Sequence, residues 1–183
     1  LLMKSPEIKN GLKKLGFTTF TRPADFYGLS LILGGCEVSM WELSGIYASL
    51  ARSLNHANKN KGKYNPSDYH MPFYFRNPDK ANHTLERSYF PDHSSVYFTF
   101  QAMQEVMRPG EELLWEQSSS SQRIAWKTGT SFGFRDGWAI GLSPEHVVCV
   151  WVGNADGEGR PGLTGIETAA PVLFDIFKLL PKS

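Results

Sequence analysis

The sequence predicts an α+β domain, a three-stranded antiparallel sheet flanked by helices, and three observations carry that prediction. Helical periods with start and stop signals lie on either side of one extended region. Between Arg123 and Asn154 the period changes to extended over three successive segments. The connections between those segments are short, which makes neighbouring strands antiparallel.

The first helix opens at Ser5-Pro6, a cap oxygen followed by a residue whose missing N–H costs nothing in a first turn, and stops at Gly16. Ile8, Leu12 and Leu15 form its buried stripe. Ser39-Met40-Trp41-Glu42 is a capping box. Behind it Leu43, Ile46, Tyr47, Leu50, Ala51 and Leu54 share one face, which predicts a helix over 39–54. A third helix is expected from about Ser94 to Met107, apolar at Val96, Phe100, Met103 and Met107 and ended by Pro109-Gly110. The last is expected from about Thr168 to Leu180. Pro171 is tolerable in its first turn, and Val172, Leu173, Ile176, Phe177 and Leu180 press onto the sheet.

The expected strands are Arg123 to Thr130, Gly133 to Leu142 and His146 to Asn154. The third holds the unbroken apolar run Val147 to Val152, which fits a strand covered on both faces by helices. Residues 55–93 read as a loop-rich insertion with one hairpin pairing Met71 to Phe75 with Thr84 to Phe90, and Ser118 to Ser121 as a short linker. Gly157, Gly159 and Gly162 mark another loop.

A length of 183 residues fits one domain, and 41% hydrophobic residues with 24 aromatic side chains (5 Trp, 7 Tyr, 12 Phe) are ample for a core. A formal charge of +1, with both signs mixed, gives no footprint for nucleic acid or an anionic membrane surface. No apolar run reaches the roughly 18 residues of a membrane span. The opening Leu1-Leu2-Met3 already sits in an apolar pattern without an initiator Met, so an upstream portion, with any targeting signal, is expected to precede it. Cys36 and Cys149 lie in apolar contexts and read as buried free thiols, with a disulfide between them left open. Five histidines without ligand spacing read as loop or surface residues, and no metal or cofactor is expected.

The informative stretch is Ile124-Ala125-Trp126-Lys127-Thr128-Gly129-Thr130-Ser131-Phe132-Gly133-Phe134-Arg135-Asp136-Gly137-Trp138-Ala139-Ile140-Gly141. Lys-Thr-Gly alone is weak evidence. Here it ends a predicted strand, runs into a second Thr, and precedes a glycine-rich turn and another strand. In that context the sequence resembles the penicillin-binding serine acyl-transferases, the serine β-lactamase/transpeptidase-like fold, and most nearly class A penicillin-binding proteins of the 1C type. Phe132 and Gly137 stand where that pattern has Tyr and Ala. The Gly34-Gly35 segment leading into the helix from Ser39, and the C-terminal apolar helix, share the likeness. It spans most of the chain apart from residues 55–93.

The resemblance implies roles for named residues. Both a D-Ala-D-Ala stem peptide and a β-lactam carry a carboxylate and pass through a tetrahedral oxyanion. The Thr130 N–H would be one oxyanion donor and Lys127 would place a positive charge beside the carboxylate and the proton-transfer chain. Thr128 and Thr130 would hydrogen-bond the carboxylate, with Ser131 next in the substrate-binding run, and Gly129 would let the ligand lie against the strand. Arg135, Asp136 and Trp138 would line the cleft wall, or serve as a structural ion pair and a core Trp.

The nucleophile motif Ser-x-x-Lys is absent. Ser53-Leu54-Asn55 has the letters of the family's second motif but follows a helix, where the family places that motif before Leu1. The expectation is a C-terminal piece of a transpeptidase domain, inactive alone. The family's sheet has five strands, so the outer edge of the strand His146 to Asn154 is expected to be covered by another chain or distorted. The parent is expected to be a peptidoglycan DD-transpeptidase beside a glycosyltransferase domain, at the periplasmic face of the inner membrane. Two rivals remain: a non-catalytic binding or scaffold module of the same fold, and an esterase using Ser131 in Gly129-x-Ser-x-Gly133.

Overall fold

Residues 5–74, 91–106 and 123–181 are described by a computed structural model. The chain divides into two compact units, Leu1–Val96 and Tyr97–Ser183.

In the first unit α1 (Ser5–Lys14), a short α2 (Ala24–Tyr27) and a 3₁₀ segment (Gly28–Leu33) precede α3 (Met40–Lys59). Part of each stripe expected from sequence joins one core. Phe17, Phe20 and Ile46 are buried, with Leu12, Leu15, Leu43 and Leu50 packed against them. Ser39 caps α3 by accepting the Glu42 N–H at 3.1 Å. The Glu42 carboxylate in turn accepts the Thr18 N–H at 2.8 Å and the hydroxyls of Thr18 and Thr19, tying the Phe17–Phe20 segment to the helix start. Burial alone would raise the Glu42 carboxyl, but these hydrogen bonds outweigh it and hold it below the ordinary value.

Helix α3 runs five residues beyond the expected end at Leu54, and the chain then returns along it as a strap. Arg52 donates to the carbonyl oxygens of Asp68 and His70 at 2.9 and 3.2 Å, and the Ser49 hydroxyl accepts the His70 N–H at 3.3 Å. Gly45 has no room for a side chain, since a Cβ would lie 2.6 Å from Pro72 Cδ. Trp41 stacks on Tyr74 with centroids 4.6 Å apart. Positions 41, 45, 49 and 52 follow the helical repeat, so one stripe of α3 holds the whole strap. Part of the expected 55–93 loop is therefore helix and part is fixed strap. Met71 to Tyr74 carry no strand, and the rest of the expected hairpin lies outside the described residues, as does the Ser118–Ser121 linker.

Two histidines of this unit, His56 and His93, stand in helices and have side-chain partners, while His70 lies in the strap as expected of a loop residue. His56 Nδ1 meets the buried Asp68 carboxylate at 2.6 Å. His93, at the start of α4 (His93–Gln104), stacks on Tyr64 at 3.6 Å and meets the Ser53 hydroxyl at 3.2 Å.

In the second unit β1 (Ala125–Thr130), β2 (Asp136–Leu142) and β3 (Val147–Gly153) form an antiparallel sheet in the order β1-β2-β3. Its register places Lys127 opposite Ile140, Gly129 opposite Trp138, and Trp138 opposite Trp151. One face buries Ile124, Trp126, Ala139, Val148 and Val150 against Ala169, Ala170, Leu173 and Phe177 of the terminal helix. Trp126 can be buried because its indole N–H reaches the Val106 carbonyl at 3.0 Å. The terminal helix starts earlier than expected, with a π-helical turn (Gly165–Ala169) running into α5 (Ala170–Leu179).

Strand β3 keeps regular register with β2 throughout, so the expected distortion of its outer edge is not found. Among the described residues no strand lies beyond it. Cys36 and Cys149 are free thiols, half-buried rather than fully buried.

Acidification should destabilise the chain in two stages. Burial, opposed by Asp92 and Asp68, depresses His93 below the ordinary imidazole value of 6.5, so the unfolded chain binds that proton more tightly and stability falls as pH drops below that value. Glu42, held below its ordinary 4.5, contributes stability that is present above that pH and lost as pH falls through the carboxylate range. Thermal melts of the chain between pH 8 and 4 check this: His93→Gln should flatten the upper stage and Glu42→Gln the lower.

Candidate functional site

In an antiparallel ladder the main-chain groups of successive residues point to opposite sides, so one bond fixes the direction of all the rest. Ser131 donates its N–H to the Asp136 carbonyl at 3.0 Å and therefore faces β2. Gly129 and Lys127 face β2 as well, and the main-chain groups of Thr130 and Thr128 point the other way. That side of β1 has no strand among the described residues, and Thr130 is exposed. The Thr130 N–H is thus a donor aimed off the open edge of the sheet.

Two more groups converge on that edge. Lys127 is exposed and its ammonium donates to the Thr128 carbonyl, whose oxygen also points outward. The Thr130 hydroxyl accepts the Gly165 N–H at 3.0 Å, which fills one lone pair and leaves its own proton to donate. Thr128 is half-buried beside them.

Among the described residues, Gly165 and Gly137 are required by close packing and Gly129 is not. A Cβ on Gly165 would sit 2.4 Å from the Gly129 carbonyl oxygen and 2.5 Å from that of Trp138, so the π turn rests directly on the β1–β2 backbone. A Cβ on Gly137 would lie 2.8 Å from the Thr168 hydroxyl and 3.2 Å from the Thr164 carbonyl oxygen, which accounts for glycine in place of alanine there. At Gly129 the nearest atom would be Trp138 Cβ at 3.7 Å, an ordinary contact. Among the described residues nothing in the packing demands glycine at that position.

Ser131 closes the β1–β2 turn, its hydroxyl accepting the Asp136 N–H at 2.9 Å. A strand follows it, where a nucleophile elbow needs a helix. Asp136 accepts the Trp151 indole N–H at 2.8 Å and so braces β2 against β3. Arg135 is exposed, and Trp138 is half-buried on the same face as Lys127 and Gly129. Ser53 is 1% exposed inside α3, held by His93, and offers no open motif. No group of metal-ligating side chains occurs among the described residues.

Sequence reasoning missed Gly165. The signal was Thr164-x-x-Glu167, a capping box: the Thr164 hydroxyl accepts the Glu167 N–H at 3.3 Å and donates to its carboxylate at 3.1 Å.

No family model matches the chain. It is similar to penicillin-binding protein 1C of Escherichia coli (strain K12), 28% identical over 169 residues, covering 92% of this chain and 19% of that protein. It is also similar to penicillin-binding protein 1B of Vibrio cholerae, 25% identical over 150 residues (81% of this chain, 18% of that protein), and to that of Haemophilus influenzae, 23% identical over 146 residues (80% and 18%). The chain spans about a fifth of the length of these curated relatives.

The glycine contrast is measurable by urea denaturation. Gly165→Ala and Gly137→Ala should each cost about 1–3 kcal/mol through overpacking. Gly129→Ala should leave stability within about 1 kcal/mol of the parent. Equal losses at all three positions would contradict the geometry.

Proposed function

We propose that this penicillin-binding-protein-like chain is the ligand-gripping part of a peptidoglycan DD-transpeptidase that works through an acyl-serine intermediate. The observation that carries the proposal is the open edge of β1, where the Thr130 N–H points off the sheet two residues along from the Thr128 carbonyl that the Lys127 ammonium meets. Gly129, which the fold does not require, lets a ligand chain lie against that edge.

The chemistry follows from those groups. A serine hydroxyl supplied from outside these 183 residues attacks the carbonyl of the penultimate D-Ala of a stem peptide, losing its proton to a base. A C–O bond forms and negative charge develops on the carbonyl oxygen, where the Thr130 N–H receives it. Losing one such donor typically costs about 3 kcal/mol of transition-state stabilisation. Collapse breaks the C–N bond, and the terminal D-Ala leaves with a proton on its amine. An amine of a second stem peptide then attacks the ester, forming the cross-link and releasing the serine. A β-lactam enters by the same first step but keeps its leaving group tethered.

Lys127 and the hydroxyls of Thr128 and Thr130 hold the ligand carboxylate in this scheme. Ser131 acts by fixing the turn, and Trp138 forms the wall beside Gly129. The isolated chain, which has no Ser-x-x-Lys, is inactive. The parent protein carries the serine, a glycosyltransferase domain and an inner-membrane anchor, and works at the periplasmic face. Its remaining transpeptidase residues cover the outer edge of β3. Among the described residues no helix is long and apolar enough to cross a membrane, so the anchor is assigned to the rest of the parent.

Labelling with a fluorescent penicillin tests the proposal. The 183-residue chain should take no covalent label, the full-length product of its reading frame should take it, and Lys127→Ala in that product should label at least about a hundredfold more slowly. Label on the short chain, or none on the full-length protein, would sink the assignment. The second result would point to a scaffold.

A further inference from the structure

The terminal helix does not begin as an ordinary α-helix. Its first turn, Gly165–Ala169, is a π turn, closed by the Ala170 N–H donating to the Gly165 carbonyl. A single π turn is rare and recurs at functional sites. The usual helix start is present beside it, because the Thr164 hydroxyl accepts the Glu167 N–H at 3.3 Å and the Thr164 carbonyl accepts the Thr168 N–H at 3.0 Å. The Gly165 N–H stands outside that capping pattern. Gly165 is buried, so its N–H needs an acceptor, and it finds one 35 residues back along the chain in the Thr130 hydroxyl, at 3.0 Å.

That bond limits what the Thr130 hydroxyl can do. A threonine hydroxyl has one proton to donate and two lone pairs to accept with, and it rotates to suit its partners. With the Gly165 N–H on one lone pair, the proton cannot point back at the turn. Thr130 is exposed on the edge of β1 that has no neighbouring strand among the described residues, so the proton is left for a ligand on that edge. The seat has no slack. A Cβ on Gly165 would stand 2.4 Å from the Gly129 carbonyl oxygen and 2.5 Å from that of Trp138, so a side chain there would push the N–H away from β1.

We propose that Gly165 is a positioning residue for the reaction: its N–H, by occupying the Thr130 hydroxyl from the side of the turn, sets that hydroxyl as a donor to the ligand carboxylate. Gly165 touches no ligand and acts only through Thr130. The inference rests on the transpeptidase assignment and extends the ligand grip from β1 to the start of the terminal helix.

The test uses the full-length product of the reading frame and benzylpenicillin, with two changes at residue 165 measured in the presence and absence of the Thr130 hydroxyl. Glycolic acid in place of Gly165 exchanges the N–H for an oxygen and adds no side chain, while Gly165→Ala displaces the N–H by crowding the two carbonyls. All proteins are compared below the lowest thermal midpoint among them. With Thr130 in place, either change should weaken the initial complex about fivefold to tenfold and leave the first-order acylation step within about twofold, the size expected of one hydrogen bond. In the Thr130→Val background neither change should weaken the complex by more than about a further twofold, because effects that act through one hydroxyl do not add. Thr130→Ser, which keeps the hydroxyl, should respond to both changes as the wild type does. The same loss in the Thr130 and Thr130→Val backgrounds, no loss in either, or a loss confined to the acylation step overturns the proposal while the transpeptidase assignment stands. A wild-type protein that benzylpenicillin does not acylate overturns the assignment itself, and the positioning role with it.

Discussion

The geometry of the second unit depends on one backbone-on-backbone contact, the π turn seated on β1 and β2 at Gly129 and Trp138. Gly165 allows that approach because any side chain would strike two carbonyl oxygens, and its N–H meets the Thr130 hydroxyl at 3.0 Å. Gly137 removes the next obstruction under Thr164 and Thr168. With the turn so close, α5 follows directly, and Leu173 and Phe177 close over Gly141, where a Cβ would stand 3.0 Å from each. One face of the sheet is thereby covered, and the Thr130 hydroxyl at the β1 edge is tied to the turn by the Gly165 N–H.

The first unit solves a different problem by similar means. Its strap holds only a bridge residue at Tyr64 and a single 3₁₀ turn at Pro66–Asp68, so most of its carbonyls need partners from elsewhere. Arg52 supplies them from inside α3, and Ser49 serves the amide of His70. An arginine suits this role because its planar fork can serve several carbonyls at once without a proton to lose. Beyond Trp41 the stripe of α3 that does this is Gly45, Ser49 and Arg52, small or polar residues where an amphipathic pattern would lead one to expect solvent.

These two units show where sequence was legible. The three strands, the helix starts at Ser5 and Ser39 and the apolar stripe of the terminal helix, apart from Val172, which is exposed rather than pressed onto the sheet, follow from periodicity and capping chemistry, both of which are local. The Lys127–Thr130 run was legible as a motif, but which of its amides points outward is a property of the ladder, settled only by the Ser131–Asp136 bond. Gly165 was passed over because a glycine after a glycine-rich loop looks like more loop, although Thr164 and Glu167 marked a helix start. The strap was illegible because side-chain bonds to carbonyl oxygens leave no period in the chain. His93 and Ser53 look ordinary in sequence and acquire their environment only when α4 begins beside Tyr64.

The spare room at Gly129 has a consequence for how variation at this edge would be noticed. Selection for solubility, expression or thermal endurance has no purchase on a residue whose replacement the scaffold absorbs at an ordinary 3.7 Å contact. Random libraries sorted by folding alone would accumulate alanine or serine there without warning. Only an assay that asks the edge to hold something would register the change.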